Sequence, residues 1–167
     1  MAAPLVPPPT HRSGAYWAGR ASHHRRHQVR ARGSMSVARV QTLWESLVEV
    51  LRAIDSPSSA LLCTSEGAPV AAYGLPRTDL PRVSFETGSA FAARTPPIDT
   101  GQDAALREVE TVELTAGQRH TVIASVPGPP QGQHLLSVTA EGVSLPLLHA
   151  WTRQAAEDLG ELLAAQP

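Results

Sequence analysis

The sequence predicts an α/β fold, more closely an α+β sandwich, in which one amphipathic helix precedes and another follows five strands in the chain. Three observations predict it. Residues 60–74, ALLCTSEGAPVAAYG, place two short apolar runs on either side of a Gly-containing polar break, the pattern of a β-hairpin. Residues 36–55 carry one apolar stripe at the helical period. Residues 107–140 hold three strand-like runs separated by Gly and Pro breaks, and a second amphipathic helix follows them. A chain of 167 residues suffices for one domain plus a tail.

The tail comes first. Residues 1–34 contain six Arg, four His and no acid, whereas all 15 acidic residues lie later, against eight Arg. The net charge of −1 therefore divides into a basic tail of +6 and an acidic body of −7. All 14 basic residues of the chain are Arg. A segment this polar cannot bury enough surface to offset the entropy of ordering, so 1–34 is expected to be a disordered basic tail and 35–167 the folded domain. Its prolines come too early for a secretory signal. An organellar transit peptide, a nucleic-acid arm using Tyr16 and Trp17, a loose metal site at His23, His24 and His27, and an upstream extension ahead of Met35 are the other readings of this stretch.

The first helix, 36–55, carries Val40, Leu43, Trp44, Leu47, Val50, Leu51 and Ile54 on one side and Gln41, Glu45, Glu49 and Arg52 on the other. Ser36 is placed to cap it, and Ser56-Pro57 ends it, because a residue before proline avoids the helical region. In the hairpin that follows, Gly67 suits a turn position with φ > 0, and Pro69, lacking an amide hydrogen, belongs at a strand start or an outward-facing position. Cys63 reads as a small buried hydrophobe. A short middle helix over 80–94, with Asp79 as N-cap and Pro81 in its first turn, puts Leu80, Val83, Thr87 and Phe91 on one side, while Gly88 weakens it. Strands are expected at 107–115, 119–126 and 134–140. The last helix, 144–163, aligns Leu148, Trp151, Ala155, Leu159 and Leu162 behind a capping Ser144. Leu43, Leu47, Leu51, Leu148, Trp151 and Leu159 are the expected core between helices and sheet.

Catalytic and cofactor motifs are absent: no phosphate-binding GxxxxGK[ST] or GxGxxG loop, no HExxH and no GxSxG. Glu108 and Glu110 share one face of a predicted strand, which reads as a solvated face. His120, His134 and His149 are dispersed and bring no triad together. The chain is expected to be non-enzymatic, with no catalytic, cofactor or metal residues. One cysteine makes no internal disulfide, and no apolar run approaches the roughly 18–20 residues of a membrane span, so a cytoplasmic protein is expected. The acidic body argues against nucleic acid binding to the folded domain.

The element order, the TSEGAPVAAYG hairpin, the LLSVTAEG strand exit and the Ala- and Leu-rich last helix together resemble the roadblock/dynein-light-chain family over roughly residues 38–163. The resemblance implies a five-stranded antiparallel sheet in the order two–one–five–four–three, with the first and last helices on one face and the middle helix on the other. It also implies dimerisation through the third strands and middle helices, and a role as partner or regulator of Ras-like GTPases. Where family members carry a longer Ala- and Leu-rich middle helix, at which bacterial members meet their GTPase, this chain has Pro81, Gly88 and an extended loop. The alternative is a small-molecule sensor or scaffold on the related profilin-like sandwich.

With strand 107–115 at an edge, unpaired backbone groups face outward there, guarded by Glu108, Glu110 and Glu113. A homodimer through 107–115 and 82–94 is expected. Phe85 and Phe91 fill its contact, Glu108 and Glu110 lie along it, and the Val112 amide is an outward donor that proline would remove.

Overall fold

The computed structural model of the chain describes residues 16–17, 30–95, 108–128 and 133–164. Its elements are β1 (Tyr16–Trp17), α1 (Arg30–Ala53), β2 (Ser58–Thr64), β3 (Pro69–Tyr73), α2 (Leu80–Arg94, entered through a 3₁₀ turn at Arg77–Asp79), β4 (Thr111–Ala116), β5 (Arg119–Val126), β6 (His134–Glu141) and α3 (Leu145–Ala164). The sheet runs β1-β3-β2-β6-β5-β4 with every pairing antiparallel. Without the two-residue β1, this is the five-stranded order expected.

Period-two alternation divides the sheet into two faces. Ala60, Leu62, Val122, Ala124, Leu136, Val138 and Ala140 point to one side, where they pack with Val40, Trp44, Leu47, Val48 and Leu51 of α1 and Leu148, Ala156 and Leu159 of α3. Leu61, Cys63, Val112, Ile123 and Leu135 point to the other, beneath Leu80 and Phe91 of α2. The two long helices thus share one face and the middle helix takes the other.

Several boundaries differ from expectation. The first helix runs back to Arg30, six residues before Ser36. Tyr16–Trp17 adds a short strand to the outer side of β3, whose row of amides and carbonyls has no other strand beside it among the described residues. Residues 16–17 and 30–34 are thus ordered where a disordered tail was expected; the rest of the tail, its histidines among them, lies outside the described residues. Asp79 sits at the N-cap of α2 but makes no side-chain capping bond, because the preceding 3₁₀ turn leaves it in a helical conformation. The strand expected from 107 begins only at Thr111. On α3 the buried line is Leu148, Thr152, Ala156, Leu159 and Gly160, and Trp151 is only half-buried. The rotation of α3 follows from close contacts: a side chain at Gly160 would come within 2.7 Å of the Pro127 carbonyl. Thr152 hides its hydroxyl by donating to the Leu148 carbonyl at 2.7 Å. Leu43 is likewise half-buried, at the margin of the core.

Candidate functional site

The hairpin turn positions α2. Gly67 has φ of 89°, the conformation its sequence context demands, and its amide donates to the Thr64 carbonyl. The helix rests on this turn through two glycines. A Cβ on Gly88 would lie 2.7 Å from the Ser65 carbonyl oxygen, and one on Gly67 would lie 3.1 Å from the Cα of Phe85. Gly88, which weakens the helix by local propensity, is therefore what lets the helix approach the turn. Ser84 and Thr87 add small buried side chains to the same line. The Ser84 hydroxyl is fully buried with no hydrogen-bond partner among the described residues.

The 15-residue α2 packs on β2, β3, β4 and β6, and among the described residues part of this face of the sheet stays open beside it. A groove of about 490 Å³ runs between the helix wall, formed by Val83, Glu86, Thr87 and Ala90, and Leu114 of β4. Its floor is Ser59, Thr121, Ser137, Thr139 and Ile123. The hydroxyls of Thr121 and Thr139 bond to each other at 2.8 Å, and at the end of the groove Arg119 is paired with Glu141 at 2.9 Å. Among the described residues, this hydroxyl-bearing floor is open beside α2.

Beside this groove, β4 is the edge of the sheet. The amide of Ser125 donates to the Glu110 carbonyl, and the Glu110 amide donates to the Ser125 hydroxyl. Alternate residues of an antiparallel strand turn their backbone groups to the same side. Hence Glu110, Val112 and Leu114 face β5, while Thr111, Glu113 and Thr115 face outward. Val112 is therefore not an outward donor. It is 5 % exposed, packed under α2 and paired with Ile123, so proline there would break the sheet internally. Phe91 is 6 % exposed and fills the core between α2 and the sheet, so it is not available for an intermolecular contact. Phe85 is 67 % exposed, on the side of α2 toward the hairpin turn. Glu108 and Glu110 precede the strand. Glu108 lies 3.6 Å from Arg153 of α3, and the Glu110 side chain is exposed.

The histidines occupy separate places. His149 Nε2 lies 2.9 Å from the Thr111 hydroxyl and 3.8 Å from the Glu113 carboxylate, tying β4 to α3. His120 Nδ1 is 3.0 Å from the Thr115 hydroxyl, and His134 is half-buried at the start of β6. Among the described residues no three His, Cys, Asp or Glu side chains converge as a metal site would require. Cys63 is buried, and desolvation pushes its thiol up to about 12. Among those residues, too, no helix is long and apolar enough to cross a membrane. The outward row of β4 and the open half of the α2 face could have been found from sequence only by knowing which strand is the edge.

Neither a family model nor a curated protein matches the sequence. Solved structures do match the fold. A roadblock/LC7 domain from Streptomyces avermitilis aligns with a TM-score of 0.53 at 15% identity, covering 73% of this chain and 95% of that one. The gliding protein MglB from Thermus thermophilus aligns with a TM-score of 0.51 at 17% identity, covering 75% and 91%. An MglB described with a tetrameric arrangement aligns with a TM-score of 0.51 at 18% identity, covering 75% and 90%. At these identities the likeness establishes architecture, and the chain has the roadblock/LC7 fold.

Proposed function

We propose that this chain is a non-catalytic, homodimeric adaptor that regulates a small Ras-like GTPase. The observation that carries the proposal is the adjacency of the edge strand, β4, to a groove that, among the described residues, α2 leaves open. Two copies related by a two-fold axis would pair their β4 strands into one continuous sheet. Each would lay part of its α2 toward the other's groove. A stable interface of this kind buries on the order of 1,200–2,000 Å². The fold shared with MglB, one example of which is described as tetrameric, supports an assembling role. The GTPase partner follows from the family resemblance. An adaptor of this kind acts through its surface, so no residue is assigned a chemical step and no cofactor is required.

Sedimentation equilibrium at micromolar concentration tests the dimer. The wild type is expected at twice the chain mass and Glu113→Pro, which removes an outward amide and spares the β5 ladder, at the chain mass. A wild type that remains monomeric overturns the dimer. Calorimetric titration with a Ras-like GTPase from the same genome, loaded with GDP or a non-hydrolysable GTP analogue, tests the partner. Binding that depends on the nucleotide is expected, and no binding in either state overturns that part. The second reading, a small-molecule sensor, draws on the hydroxyl-bearing floor of the groove. It would be favoured by a monomer whose melting temperature rises with a small polar ligand.

A further inference from the structure

The edge strand that would pair with a second copy is already in use at one point. Arg94, in the last turn of α2, extends Nη1 to the backbone carbonyl of Glu113 at 3.1 Å. Glu113 is one of the residues whose backbone groups face away from β5, because Glu110 faces inward and the alternation carries through the strand. Its carbonyl is therefore an acceptor that an incoming strand would need. Arg94 also lies four residues beyond Ala90, so it continues the stripe of α2 that walls the groove. A single side chain thus spans the two surfaces that a second copy would meet.

We infer that Arg94 is a gate on the β4 edge, and that self-association requires it to leave the Glu113 carbonyl. This inference rests on the dimer reading and adds to it a residue that sets the strength of pairing. Covering or charging an edge is a general defence against promiscuous strand addition. Here the cover is one guanidinium on a flexible stem, able to swing aside where a rigid block could not. The carboxylates of Glu108, Glu110 and Glu113 along the same stretch make the effect of Arg94 decidable. If Arg94 acted chiefly as a counter-charge easing repulsion between two acidic edges, its removal would weaken the dimer. If it acts as a gate, its removal strengthens the dimer. The two roles have opposite signs.

The experiment compares dimer dissociation constants from sedimentation equilibrium for the wild type, Arg94→Ala and Arg52→Ala. Arg52 is the charge control: it lies on α1, over the ring of Tyr73, and loses the same charge on substitution. Arg94 is exposed, so its variant is expected to melt within a few degrees of the wild type. Each copy gives up one solvent-exposed hydrogen bond, at the weak end of such bonds, so Arg94→Ala is expected to tighten the dimer by about 5- to 30-fold. Arg52→Ala is expected to leave it within about twofold. A wild-type dimer that Arg94→Ala leaves unchanged or weakens overturns the gate and leaves the dimer standing. Equal tightening by both variants would assign the effect to net charge and overturn the gate as well. Wild type and Arg94→Ala both monomeric would overturn the dimer reading and the gate with it.

Discussion

The two faces of the sheet are built from the same strands and finished differently. On one, α1 and α3 lie side by side over a continuous apolar surface that includes Leu62, Val122, Ala124, Leu136 and Val138. On the other, α2 covers Leu61, Cys63, Val112, Ile123 and Leu135, and beside it Ser59, Thr121, Ser137 and Thr139 line a groove. The closed face holds most of the buried apolar surface. The open face keeps hydroxyls that tolerate water and can equally accept a covering partner. On the proposed reading, stability resides on one side of the sheet and recognition on the other, and mutations should separate them.

The largest effect should come from the closed face. Leu148 is fully buried at the contact of α3 with the sheet, and Leu148→Ala should cost about 2–5 kcal/mol in urea unfolding. Leu114→Ala, at the half-buried rim of the groove, should cost distinctly less. Equal losses would erase the distinction between the faces. Gly88→Val sharpens the comparison from the other side. Its new side chain meets the backbone of Ser65, which cannot turn aside, so the helix must lift, at about 1–3 kcal/mol. The same substitution should widen the groove and protect the amides of α2 less against hydrogen exchange, with those of α3 unchanged. Protection lost equally in both helices would mean that the two faces unfold as one unit.

The smallest expected effect concerns Cys63, which belongs to the open face by alternation yet is sealed under α2. Its folded-state value of about 12 lies above that of an exposed thiol, so the folded chain holds its proton where the unfolded chain has lost it. Stability from this group is complete below about pH 8.5 and declines as pH rises from there toward 12. Cys63→Ala should remove that part of the alkaline decline. Native protein should also react with a thiol reagent only as fast as α2 opens. Rapid labelling at neutral pH would show that α2 is a loose cover.

Much of this organisation is readable without coordinates, because it follows from local periodicity. Alternation in 134–140 separates Leu136 and Val138 from Leu135 and Ser137, and the structure places those sets on opposite faces. The stripe through Trp44, Leu47 and Leu51 places α1 on the core in the same way. The sign of φ at Gly67 follows from turn chemistry alone. Other features could not be read so. Trp151 gives way to Thr152 and Gly160 on the buried side of α3, because helix rotation is set by what the helix packs against. Val112 enters the chain's own core under α2, and Phe91 does so on the stripe it shares with Leu80 and Thr87, a placement that helix periodicity implied and the dimer expectation went against. The side to which each β4 amide points depends on register with β5, and the reach of Arg94 to Glu113 depends on where α2 is seated. Periodicity is a property of neighbours in the chain, so the sequence by itself determined the elements and their two faces. Which part of a face stays uncovered, and which edge groups stay free, depends on contacts between residues distant in sequence, and only the tertiary structure decided those.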